Sequence, residues 1–394
     1  MKQAFFLVIL STSFSLLLNG CSTVSQVLGS KKSQPIPLKP LKAISKGINT
    51  KKDWEVKTGS SMGDSKIHPF VTQNIIYIAG GKTASAWKKN SGRLLWKTEI
   101  KESITAGVNG SIFTQNNNSQ QIFIGTGNGN AISLSAKTGK ILWIERLSSE
   151  IQSVSPSKNG RVAFRTVDGK LHGLSSETGE LIWQNTQASP TLSHKGAGVP
   201  IIVGSAIIAG FDNGKVAAYN LQTGQKKWEV TLASPRGHTE LDRIIDVDGR
   251  LKPLGNALFA ASLHGRANGI NIDTGTSVWS NKFSTSTGLD ANGQALFSSD
   301  SDGNIFSLSP QTGEFYWKMD DLQRYEPTLP KIVGSSLLAI NDKKGNIHWV
   351  NIRNGQFVAR NTGDPAGYSV EAEVNGNSII TLGKSGILTK ISVK

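Results

Sequence analysis

Short apolar runs rich in β-branched residues recur along the chain at 75–79, 122–125, 162–164, 206–210, 257–262, 295–299, 337–340 and 378–382. Runs of this length, bounded by turn-forming residues, have the dimensions of strands, and unbroken apolarity marks strands covered on both faces. Each is followed by a segment in which apolar and polar residues alternate, as in Asn304-Ile305-Phe306-Ser307-Leu308. A period of two turns one face of such a segment toward a neighbour. Asp168-Gly169, Asn213-Gly214 and Asp302-Gly303 lie between paired runs of this kind. Glycine there accepts the positive φ of a tight hairpin. No stretch holds a helical period beyond one or two turns, so the pattern predicts an all-β chain.

A second pattern overlies the first. A glycine is followed ten positions later by another glycine, and four positions after that by tryptophan. The second glycine and the tryptophan occur as Gly92/Trp96, Gly139/Trp143, Gly179/Trp183, Gly224/Trp228, Gly275/Trp279 and Gly313/Trp317, with threonine before five of these glycines. The first glycine stands as Gly129, Gly169, Gly214, Gly265 and Gly303, and Gly345 precedes Gly355 in the same way. In the first repeat Gly81 slips by one position. Self-similarity on this scale, with four short strands to each unit, is the signature of a β-propeller.

The tryptophans set the blade count. Trp54, Trp96, Trp143, Trp183, Trp228, Trp279 and Trp317 are spaced by 42, 47, 40, 45, 51 and 38 residues, and Ala359 occupies the next equivalent place. The eighth unit ends at Lys394 without an outer strand, while Trp54 precedes the first glycine pair. An eight-bladed propeller of four-stranded antiparallel blades follows, with the strand near Trp54 pairing with the last strands to close the ring and remove two open sheet edges. A loose Trp54 beside seven blades is the competing arrangement. At the same place in every blade, the indoles suit the apolar space between adjacent sheets rather than a sugar-stacking surface.

The N-terminus has a different character. Lys2 precedes a mostly apolar run from Ala4 to Leu18, followed by Asn19-Gly20-Cys21. That run is too short to cross about 30 Å of hydrocarbon, and it reads as a secretory signal over residues 1–20 with lipidation at Cys21. Cys21 is the only cysteine, which excludes an internal disulfide, a CxxC redox pair and any cysteine metal cluster. Residues 21–52 read as a basic, flexible tether, and the propeller is expected over 53–394. Between residues 22 and 52 lie Lys31, Lys32, Lys39, Lys42, Lys46, Lys51 and Lys52 with no acid, so these and Lys2 supply eight of the net fifteen positive charges. A charge concentrated in the tether of an exported protein points to an anionic membrane surface or plain solvation, and away from nucleic acid.

Catalytic signatures are sparse. His68, His172, His194, His238, His264 and His348 fall singly, without HExxH spacing, and surface or hairpin positions suit most of them. Asp242, Asp246 and Asp248 lack the glycine-turned spacing of a calcium loop, so no metal and no cofactor is expected. Asp246 and Asp248 are two apart in the longest interval of the ring, so on an extended segment their carboxylates face one way and could meet a cationic surface. The alternative is neutralisation by Arg236 or Arg243.

A blade ending in Thr-Gly-x-x-x-Trp resembles the PQQ-type propeller repeat, shared by quinoprotein dehydrogenases and by the BamB family of outer-membrane assembly lipoproteins. The resemblance covers the mature chain. Two stretches are similar to the BamB family in particular: Leu192-Ser193-His194-Lys195-Gly196, and the run from Thr239 to Asp248, Thr-Glu-Leu-Asp-Arg-Ile-Ile-Asp-Val-Asp. The resemblance implies a non-catalytic scaffold at the periplasmic face of the outer membrane that binds the POTRA repeats of BamA within the barrel assembly complex. Unfolded outer-membrane proteins are a further candidate partner. It also implies that Leu192, His194, Lys195, Asp246 and Asp248 make the partner contact. His194 stands where the family has leucine, and Lys195 replaces arginine, losing the planar fork. Ser22 after Cys21, rather than aspartate, suits the outer membrane. The rival readings are a PQQ-dependent dehydrogenase, which in many members needs a cysteine pair this chain lacks, and a propeller binding cell-wall polymer.

Overall fold

The computed structural model describes residues 38–44, 47–111, 121–190, 198–235, 239 and 244–394. Among them every regular element is a strand, and the strands form eight four-stranded antiparallel sheets arranged as the blades of a propeller. Blade 1 spans 70–99, blade 2 104–146, blade 3 151–186, blade 4 201–231, blade 5 252–282, blade 6 290–319 and blade 7 331–362, each with strands in sequence order from axis to rim. All eight predicted apolar runs are the second strand of a blade.

Blade 8 joins the two ends of the chain. Its three inner strands are Glu373–Asn375, Ser378–Leu382 and Ile387–Val393, and its outer strand is Thr50–Lys57. The outer strand pairs antiparallel with the last one from Thr50↔Val393 to Lys57↔Ile387. The closed arrangement expected from Trp54 is therefore the one found. That strand begins at Thr50, and Leu41 and Ile48 already pack on the apolar cores of blades 6 and 7. Ile48 donates its N–H to the Val358 carbonyl, so the folded unit begins earlier than the tryptophan spacing alone suggests.

Each repeat tryptophan belongs to a seam between blades. Trp54, Trp96, Trp143, Trp183, Trp228, Trp279 and Trp317 donate Nε1–H to the backbone carbonyls of Lys89, Ala136, Ser176, Leu221, Ile272, Pro310 and Ile352, all in the following blade, at 2.9 to 3.2 Å. The indole thereby buries its apolar body and satisfies its one donor. Its landing point is the second glycine of the next repeat. A Cβ on Gly224 would lie 2.7 Å from the Trp183 ring, and φ there is +71°. No side chain fits either the space or the backbone. The glycine and tryptophan of one repeat thus serve two different seams.

This pairing explains Ala359. In blade 8 the connection that would carry the landing glycine is replaced by the two chain ends, where Lys394 donates its N–H to Asn49. Ala359 is buried instead in the apolar core against which Ile48, Val358 and Val393 pack. The first glycine of each repeat has its own task. Gly169 sits at φ +78°, 2.5 Å from the Gln187 carbonyl if a Cβ is added, where the chain leaves the blade. It lets the inter-blade segments run close over the hairpins.

Candidate functional site

The two stretches singled out in the sequence belong to the connections after blades 3 and 4. Leu192, His194 and Lys195 lie outside the described residues, as do Cys21, Arg236, His238, Asp242 and Arg243. The flanks of both connections are described, and they meet. A Cβ on Gly198, just after the first stretch, would lie 3.2 Å from both Asp248 Cα and the Val247 carbonyl at the end of the second. Ser153 Oγ–H donates to the Gly198 carbonyl at 3.0 Å, fixing the first connection to blade 3. Val247 donates its N–H to Phe211 of blade 4, and the Asp246 carbonyl accepts from Leu263 of blade 5. The described end of the second connection is therefore bonded to two blades.

Asp246 and Asp248 are 1% and 6% exposed, so both carboxylates are directed into the protein. They face the same way, as their spacing requires, but the cation beside them comes from this chain. Arg165, on the second strand of blade 3 and 1% exposed, places Nη1 3.1 Å from Asp248 Oδ1 and Nη2 against Asp212. Oxygens of Asp212, Asp246 and Asp248 lie within 4.8 Å of one another, a grouping with metal-ligand proximity into which the guanidinium already brings positive charge. The Phe211 ring covers the guanidinium at 5.9 Å. Arg165 thus ties blade 3, blade 4 and the second connection at one point. The signal for it was available: an arginine ending the apolar run Val162-Ala163-Phe164 is a charge on a buried strand, which requires a counter-charge.

A second group of charges lines the ring axis. Lys252 Nζ lies 2.6 Å and Lys331 Nζ 3.4 Å from the two oxygens of Asp290. Arg250 spans Glu371 at 3.0 Å and Glu373 at 2.9 Å. Burial pushes the Asp290 carboxyl up, but Lys331 and Lys252 outweigh it and hold its pKa at about 2. Burial pushes the Lys331 ammonium down, and the neighbouring Arg250 adds to the effect. Beside this group is a cavity of about 410 Å³ reached by Lys66, His68, Arg250, Lys252, Asp290 and Lys331. These residues come from strands or connections at the inner ends of four blades, so their sequence spacing carries no motif.

The histidines are less peripheral than expected. His172 and His348 are 1% and 0% exposed, and His348 Nε2 sits 2.8 Å from Asp342 Oδ2. His264 is in a hairpin at φ +49°.

Comparison with known proteins gives a consistent result. The profile of a family described as "Outer membrane protein assembly factor BamB" matches residues 80–319. The outer membrane protein assembly factor BamB of Yersinia pestis is 24% identical over 380 residues, covering 94% of each chain. Among solved structures, BamB from Moraxella catarrhalis superposes with a TM-score of 0.79 at 23% identity, covering 87% of this chain and all of that one. The quinohemoprotein alcohol dehydrogenase of Comamonas testosteroni reaches a TM-score of 0.66 at 10% identity, covering 87% of this chain and 76% of its own, a likeness of fold alone.

Proposed function

The chain belongs to the BamB family of outer membrane protein assembly factors, and from that premise we propose that it is a non-catalytic scaffold of the barrel assembly complex which binds the periplasmic POTRA repeats of BamA. Cys21 carries the lipid that holds it to the periplasmic face of the outer membrane, and residues after it form the basic tether. The contact surface is built by the connections after blades 3 and 4. Leu192, His194 and Lys195 touch the partner. Asp246 and Asp248 act from behind, by holding the second connection against Arg165 in the shape the partner meets.

The observation that supports this reading most is the convergence of the two connections at Gly198 and Asp248, over a buried guanidinium that belongs to neither. Long connections on a rigid scaffold are the usual place for recognition, and a latch beneath them keeps the surface in one conformation. Relatives named as assembly factors favour a scaffold over the dehydrogenase reading.

The test is capture of the BamA periplasmic region from solution by the purified lipoprotein. Lys195→Glu reverses a charge at the proposed contact and is expected to weaken capture roughly tenfold or more with an unchanged unfolding midpoint. Full capture by K195E would remove that residue from the interface. Recovery of glycan fragments in place of BamA from solubilised membranes would favour the cell-wall reading.

A further inference from the structure

The axial charges do not balance. Asp290 takes both Lys252 and Lys331, and Arg250 serves both Glu371 and Glu373, so three carboxylates engage three permanent cations. Lys66 is the fourth cation at the cavity, and among the described residues it makes no ion pair. It feels the charges of Asp248 and Glu371 but bonds to neither, and burial pushes its ammonium below the ordinary lysine pKa. His68, also at the cavity, has a buried Nδ1 without a hydrogen-bond partner, 3.7 Å from Glu371 and 3.9 Å from Glu373. A half-buried ammonium without an ion pair and a buried imidazole nitrogen without a hydrogen bond line one cavity, and a single negatively charged acceptor there would serve both.

The rest of the wall narrows the chemistry. Phe70, Val108, Val154 and Ile201 add apolar lining to the charged groups. Its volume of about 410 Å³ suits a small molecule. One spare positive charge balances a monoanion, whereas a phosphate dianion would bring excess negative charge near Glu371 and Glu373. We propose that the axial cavity binds a small carboxylate with an apolar body, its carboxylate received by Lys66 and His68 and its body lying on Phe70 and Val154. Val199 and Arg250, at the ends of the two connections, line this cavity, so it adjoins the proposed partner surface, but the proposal stands whether or not BamA is the partner.

Calorimetric titration of the full chain in lipid nanodiscs, with empty nanodiscs as the blank, tests it with 4-phenylbutyrate and the neutral 4-phenylbutanamide. Saturable single-site binding of the carboxylate is expected, with the amide weaker by roughly tenfold or more. Lys66→Met is expected to erase that preference while the far-UV circular dichroism is unchanged, and Lys66→Gln supplies a second reading should methionine disturb the fold. Absence of saturable binding, equal affinity for the amide, or a preference that survives in a folded Lys66 variant would each overturn the proposal.

Discussion

The cluster around Arg165 is buried and the cluster on the ring axis is half-buried, and among the described residues their charge is weighted in opposite directions. Around Arg165, among the described residues, one guanidinium sits beside three carboxylates that gather within 4.8 Å. On the axis, among the described residues, Arg250, Lys252 and Lys331 pair with three carboxylates, while Lys66 pairs with none and feels Asp248 of the first cluster. The sign of the imbalance decides what each residue does. Arg165 pairs with Asp212 and Asp248 at once, so it is the keystone of its cluster, and removing it takes a buried cation from two carboxylates. Lys66 makes no ion pair among the described residues, so its loss is expected to disturb the fold least.

The sharpest way to break this contrast is Arg165→Met. It leaves buried carboxylates without the guanidinium and should cost about 3 to 5 kcal/mol, read from the urea midpoint, with capture of the BamA periplasmic region lost in parallel. Arg165→Lys should fall between, because an ammonium cannot span Asp212 and Asp248 as the fork does. An R165M protein as stable as the parent would show that the latch is not one.

Asp290→Asn is the corresponding change on the axis. Its carboxyl titrates at about 2 in the folded chain against 3.8 ordinarily, so the pairing contributes about 2 kcal/mol at neutral pH. A depressed carboxyl contributes in full above its ordinary pKa and loses that contribution as pH falls through the folded value. The stability gap between wild type and D290N should therefore be constant from pH 7 to 5 and close between about 4 and 2. Urea midpoints of both proteins across that range measure it, and a gap that closes near pH 6 would refute the assignment. The smallest effect belongs to the spare cation. Lys66→Met should destabilise by no more than about 0.5 kcal/mol, in contrast to R165M. A loss comparable to R165M would mean that Lys66 is structural.

How much of this could be read from the chain varies with the range of the interaction. Strands and hairpins were legible because alternation and turn chemistry act within a few residues. The blade count was legible because one indole recurs at one place in each unit. That Trp183 lands on Gly224 rather than serving its own repeat was not, since the glycine and tryptophan of each repeat sit four apart and invite pairing with each other. The departure at Ala359 was visible, and its reason, the chain ends meeting in blade 8, lay in the closure. For the candidate site, the parity of Asp246 and Asp248 was correct while their direction was not apparent. An extended segment offers two faces, and only the blades around it decide which is covered.

The sequence by itself determined an all-β chain, the strand positions, the repeat and the closure of an eight-bladed ring, because each is a local or periodic property of residue order. Only the tertiary structure decided that Asp248 meets Arg165, 83 positions away, and that charges from residues 66 to 373 gather on one axis. Burial removes water as the partner of a charge and obliges it to find whichever counter-charge the closed ring brings near. That choice depends on three-dimensional proximity, which the order of residues along a strand does not carry.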